Sequence, residues 1–75
     1  MDPDNLLNVC FLDIAEKSVW RVTDWEWSPA SGNIHVTLKH LLGKEEDREV
    51  ELAWLHPEGH YRQLNEMEVL AWLAK

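Results

Sequence analysis

The nine residues Val19-Trp20-Arg21-Val22-Thr23-Asp24-Trp25-Glu26-Trp27, VWRVTDWEW, hold three of the chain's five tryptophans. β-branched and aromatic residues dominate the stretch, which reads as a long strand. Side chains alternate faces along a strand, so Trp25 and Trp27 share one face and Asp24 and Glu26 the other. Trp20 and Val22, however, have the parity of the two acids. The apolar side therefore switches between Val22 and Trp25. That switch predicts a bulge or sharp bend near Thr23-Asp24, the device that small, strongly curved sheets use to turn a corner.

Working outward, Ser28-Pro29-Ala30-Ser31-Gly32-Asn33 is a turn. Beyond it IHVTLKHLL, residues 34–42, places Ile34, Val36 and Leu38 on one face and His35, Thr37 and Lys39 on the other. Strands 19–27 and 34–42 form a hairpin with one buried and one wet face. A charged turn from Gly43 leads to REVELAWL, residues 48–55, read as a strand with Val50, Leu52 and Trp54 on its apolar face. HPEGH turns the chain into a short strand, Tyr61–Leu64. Before the long strand, Asp2-Pro3-Asp4-Asn5 caps a helical turn, residues 9–12 form a strand and residues 15–18 a loop. After the last strand, Asn65 and Glu68 have the spacing of a capping box, opening a helix to the end of the chain. Met67, Val69, Leu70, Trp72 and Leu73 wrap much of that helix, so it docks on the sheet or meets a partner.

The expected fold is mainly β (α+β). It is a small bent antiparallel sheet or barrel of four or five strands over residues 8–64, followed by a C-terminal helix over 65–75, all in a single domain spanning 1–75. In strand count and turn placement residues 8–64 resemble the SH3-like small barrels, including the Tudor-type domains. The resemblance implies a barrel that binds protein. The helix from 65 is not a fixed part of that architecture. The paired-Trp motif that follows an acidic loop in ligand-binding SH3 domains is not found here.

Composition narrows the function. Seventy-five residues bury a thin core, for which tryptophan is an efficient filler at roughly 150–250 Å² each. Cys10 is the single cysteine, so no disulfide framework is expected and a reducing compartment, the cytoplasm, fits. Fourteen acids against seven Lys and Arg give a formal charge of −7. This opposes direct nucleic-acid binding and docking on anionic membranes, and it favours a protein partner with a basic surface. The N-terminus lacks a signal-peptide pattern and no segment has the length of a membrane span.

Candidate sites follow from residue type. Trp25 and Trp27, flanked by Asp24 and Glu26 and with Tyr61 nearby, either pack in the core behind the bend or form an exposed aromatic platform. Such a platform attracts cations and anchors protein interfaces; a cage for a methylated basic side chain is one version of it. Glu45, Glu46 and Asp47, continuing to Glu49 and Glu51, form an acidic run that steers a basic partner, although Lys44 and Arg48 interrupt it. Trp72 either plugs an open end of the barrel or anchors a homodimer through the C-terminal helix.

His35, His40, His56 and His60 lack the convergence a zinc site needs, so no metal and no cofactor is expected. Cys10 sits in an apolar run, the serines lie in loops without a nucleophile turn, and no carboxylate pair is singled out, so no enzyme is expected. The first expectation is a non-catalytic interaction module for a basic partner. The alternative is a small acidic inhibitor, of the phage or mobile-element type that acts on nucleases or CRISPR complexes, covering a nucleic-acid-binding surface. A histidine-based metal protein comes third.

Overall fold

A computed structural model of the chain describes residues 3–55 and 59–74. A 3-10 turn, Pro3–Leu6, precedes β1 (Cys10–Asp13), β2 (Ser18–Ser28), β3 (Asn33–His40) and β4 (Arg48–Glu51). A second 3-10 turn, Leu52–Leu55, then leads to β5 (Tyr61–Leu64) and α1 (Glu66–Leu73). The strands form one antiparallel sheet in the order β4-β3-β2-β1-β5, curled into a half-barrel.

The bend is where the parity of VWRVTDWEW puts it. Val22 pairs with Leu38 but Asp24 pairs with Thr37, so the ladder slips between them and Thr23 is the extra residue. Short polar side chains fix the slip. Thr23 Oγ1 donates to the Thr37 carbonyl at 3.5 Å, and the Asp24 carboxylate accepts from the Trp25 N–H at 2.8 Å. Before the bulge Trp20 and Val22 point inward and are fully buried. After it Trp25 returns to the same side and packs against the same core. β2 thus serves both halves of the sheet, pairing with β1 through Ser18–Arg21 and with β3 through Trp20–Ser28.

Two apolar layers lie on opposite faces of the sheet. The inner one holds Phe11, Trp20, Val22, Val36 and Leu38, closed by Leu6 and Leu55 from the two 3-10 turns. The outer one, Cys10, Val19 and Leu64, lies under Val69 and Trp72 of α1. The helix therefore covers the back of the sheet and does not plug a barrel end. Its start is the expected capping box: Glu68 N–H donates to Asn65 Oδ1 at 2.9 Å, and Asn65 N–H donates to Glu68 Oε1 at 3.2 Å. The Asn65 N–H and then Arg62 hold the Glu68 carboxyl below its ordinary pKa.

One expected element is corrected. The strand read over 48–55 stops at Glu51, and Leu52–Leu55 is a 3-10 turn. Alternation of Val50, Leu52 and Trp54 mimics a strand, but the residues that reach the core are Leu52 and Leu55. These are three apart, the period of a 3-10 turn, and Trp54 is left exposed.

β4 and β5 are the two edges of the sheet, and a side chain joins them. Arg48, on β4, donates to Asp13 on β1 at 2.8 Å, to the Tyr61 hydroxyl on β5 at 3.2 Å, and to Glu16 in the β1–β2 turn. Its guanidinium carbon lies 3.9 Å from the ring centroid of Trp20, whose indole N–H donates to Ser18 at 2.8 Å. Asp13 also accepts the backbone N–H groups of Ala15 and Glu16, both at 3.1 Å, which ties the turn to the same cluster. Burial pushes the Asp13 carboxyl pKa up. The hydrogen bond from Arg48, the Glu16 N–H, the Arg48 charge and the Ala15 N–H outweigh it and hold the group below its ordinary value.

A pH dependence follows. A carboxyl whose folded pKa is depressed contributes stability that is complete above its unfolded pKa of about 3.9 and is lost as pH falls through the folded value. The stability gap between the wild type and Asp13→Asn should therefore close as urea midpoints are taken from about pH 6 to about pH 2. A gap that stays constant over that range contradicts the assignment.

Candidate functional site

The bulge sorts the aromatic residues of the long strand into different roles. Trp25 is half-buried, and its indole N–H donates to Asp4 Oδ1 at 2.7 Å, tying the N-terminal 3-10 turn to β2. Trp27, one pleat further out, is 57% exposed. The core narrows toward the hairpin tip and no longer reaches it. Trp27 pairs across the ladder with Ile34. With Leu52 and Ala53 from the second 3-10 turn these two line an open notch of about 310 Å³, bordered by Glu51. Tyr61, expected near the tryptophans, is buried in the inner core on β5 with its hydroxyl taken by Arg48. The two tryptophans thus do not form one platform: Trp25 is structural and Trp27 is the exposed member.

Toward the hairpin tip the other face of this half-sheet is acidic, bounded by the basic cross-strand pair Arg21–Lys39. Asp24, Thr37 and Glu49 form one cross-strand row, and Glu26, His35 and Glu51 form the next. Strands lie about 4.8 Å apart and same-face neighbours roughly 6.8 Å apart, so four carboxylates frame a patch of roughly 10 by 7 Å. His35 sits among them, its Nδ1 2.9 Å from Glu49 Oε1. Like charges on neighbouring strands cost stability unless solvated, and Asp24, Glu26 and Glu49 are exposed. Glu45, Glu46 and Asp47 lie exposed in the β3–β4 connection, and Glu45 is 3.4 Å from His40, whose ring packs edge-on against Trp20 on the inner side. The register changes the meaning of Arg48. It interrupts the acidic run in sequence, yet it lies opposite Leu38 on the inner face, where Asp13 and Glu16 take its charge. The outer acidic face is not neutralised by it.

The remaining candidates fall elsewhere. Trp72 is half-buried against the outer layer, on the opposite side of α1 from Met67 and Leu70. Cys10 is buried; desolvation raises its thiol pKa, offset in part by the charge of Arg21, which keeps the thiol protonated and unreactive. Among the described residues no group of three His, Cys, Asp or Glu side chains is arranged to hold a metal ion, and His56 and Glu58 lie outside those residues. No helix among the described residues is long and apolar enough to cross a membrane. Sequence reasoning missed Ile34, Leu52 and Ala53 as neighbours of Trp27. Ile34 was legible as a same-face residue across the hairpin, but the 3-10 turn carrying the other two was masked by its strand-like alternation. Comparison with models of known protein families, with curated proteins and with solved structures finds no match for the chain.

Proposed function

We propose that this chain is a non-catalytic interaction module whose β2–β3–β4 half binds a partner protein with a basic surface. The observation that carries this reading is Trp27. A large indole stays 57% exposed on a strand where Trp20 is fully buried, and it stands beside an apolar notch. Exposed tryptophan next to a pocket has the composition of an interface anchor, with Glu51 at the notch and the acidic rows on the opposite face steering approach and orientation. On strand count and turn placement, the fold is read as resembling the SH3-like small barrels. The single buried thiol fits a reducing compartment such as the cytoplasm.

The acidic rows favour a second reading, a small inhibitor that covers the nucleic-acid groove of its partner. Four carboxylates on one rigid sheet face, with Arg48 turned inward, present a dense negative surface. Competition separates the two. Nucleic acid displaces an inhibitor of this kind from its partner and leaves a Trp27-anchored complex in place.

The charge contribution is tested on the partner recovered from the native source. Raising salt from about 50 to about 500 mM should weaken binding at least about tenfold, mainly through slower association. The variant Asp24→Asn/Glu49→Gln should flatten that salt dependence while keeping the thermal midpoint. Affinity that is flat in salt and indifferent to both substitutions sinks the electrostatic part of the proposal.

A further inference from the structure

β2 is paired on both sides only as far as its bulge. Val22 N–H donates to the Val9 carbonyl at 2.9 Å and the Val22 carbonyl accepts from Asn8 N–H at 2.8 Å, so Val22 turns its backbone toward β1. Past that point β2 pairs with β3 alone among the described residues. Backbone groups alternate sides along a strand. Counted past the extra residue Thr23, those of Asp24, Glu26 and Ser28 face β3, and those of Trp25 and Trp27 face the other way. Two contacts agree with this count. The Ser28 carbonyl accepts from Gly32 N–H at 2.8 Å inside the hairpin, and Trp25 N–H donates to its neighbour's carboxylate, Asp24 Oδ1, instead of to a strand. Among the described residues the Trp25 carbonyl and the Trp27 N–H and carbonyl have no backbone partner. They form a short open sheet edge of about four residues, roughly 13 Å long. β4 and β5 turn their outer edges toward each other across the side that Arg48 spans, whereas this part of β2 opens outward.

We propose, resting on the interaction-module reading above, that the partner is held here as an added strand. Its segment is extended, carries Lys or Arg at alternate positions, and pairs with the distal half of β2 antiparallel, as every ladder of this sheet does. The residue opposite Trp27 exchanges two backbone hydrogen bonds with it, and the residue opposite Trp25 donates to the Trp25 carbonyl. Side chains of the added strand alternate faces as those of β2 do. Those opposite Trp25 and Trp27 lie on the indole side and are apolar. Those between them stand about 5 Å from Asp24 and Glu26 on the outer face and are basic.

Charge selects this occupant. Asp24 and Glu26 flank the edge and are exposed, and the Glu26 carboxylate makes no hydrogen bond or ion pair among the described residues. A second copy pairing edge to edge would set these acids against their own images, and each copy carries a formal −7, so self-pairing is opposed. An acidic strand meets the same repulsion, and a basic one relieves it. The cross-strand pair Arg21–Lys39 lies beyond the bulge, so the stretch that favours a basic strand ends at Asp24. The Asp24 carboxylate on the Trp25 N–H also blunts the edge against non-specific pairing, as charged side chains on open edges do.

The probe is a blocked peptide of about seven residues alternating lysine and valine, titrated at low salt into the full labelled chain. Hydrogen exchange of the Trp27 backbone amide is the readout, and saturating peptide should slow it at least about tenfold. Methylating the valine backbone nitrogens, which face β2, should weaken binding at least about tenfold, and methylating the lysine backbone nitrogens, which face away, should spare it. Glu26→Lys should weaken the same peptide at least about tenfold with the thermal midpoint unchanged. A Trp27 amide still unprotected at about 5 mM peptide overturns the proposal. So does binding that tolerates valine methylation, binding indifferent to Glu26→Lys, or protection that grows with protein concentration alone, the mark of a second copy on the edge. The partner recovered from the native source separates this failure from that of the underlying reading. A partner that moves the Trp27 indole and leaves the Trp27 amide exchanging removes only the added strand, and one that moves neither removes both.

Discussion

Arg48→Met should cost about 3 kcal/mol of folding stability, a fall in thermal midpoint of roughly 15–20 °C for a domain this small. The expectation is large because one side chain holds four parts of the molecule. Arg48 bonds Asp13 on β1, Tyr61 on β5 and Glu16 in the β1–β2 turn, and it lies over Trp20 in the core. β4 and β5 share no hydrogen-bonded ladder, so this cluster, together with the packing of Val50, Leu55 and Tyr61, holds the curled sheet together across its open side. Methionine keeps most of the volume over Trp20 but leaves Asp13, whose side chain is 10% exposed, without its cation. Breaking one member of a buried pair costs more than the pair itself contributes, because the remaining charge is stranded. Urea unfolding of Arg48→Met, Asp13→Asn and the double variant measures the coupling. The double variant should be less damaged than the sum of the singles. Strict additivity would mean that the two side chains do not act as a unit.

Trp27→Ala should weaken partner binding at least about 30-fold, a hot-spot loss of 2 kcal/mol or more, while changing stability by less than about 1 kcal/mol. The two effects separate because most of the indole is already in water, so little burial is lost when it is removed. Trp20 is the control. It is fully buried, and its replacement by alanine should cost about 3–5 kcal/mol. Titration calorimetry on the recovered partner, with urea unfolding of the same samples, reads both quantities. Loss of binding that merely tracks loss of stability would remove Trp27 from the interface.

Much of the fold is legible in the sequence because β-structure writes its faces with a period of two. The parity clash between Trp20 and Trp25 locates the bulge to the residue pair, and Ile34, Val36 and Leu38 mark the inner face of β3. The capping box at Asn65 marks the helix start. The site is less legible, for three physical reasons. Parity says that Trp25 and Trp27 share a face, but not where the core ends along that face, and the limit falls between them. The alternation of Val50, Leu52 and Trp54 is shared by a strand and by a 3-10 turn too short to reveal its own period. Arg48 is read as a break in an acidic run because charge is counted along the chain, whereas the register turns Arg48 inward and Glu49 and Glu51 outward. Tyr61 joins the core for a similar reason: its hydroxyl meets the half-buried Arg48, which no local pattern encodes.

The most direct test of the central claim is a map of the contact surface. The isotopically labelled chain is titrated with the recovered partner, and the five indole N–H signals are followed together with the methyl groups of Ile34, Leu52, Met67 and Leu70. The account predicts that Trp27, Ile34 and Leu52 shift, along with the backbone of Glu26 and Glu51, while Trp20 and Trp25 stay in place. Shifts centred on another face, with Trp27 unmoved, would contradict it.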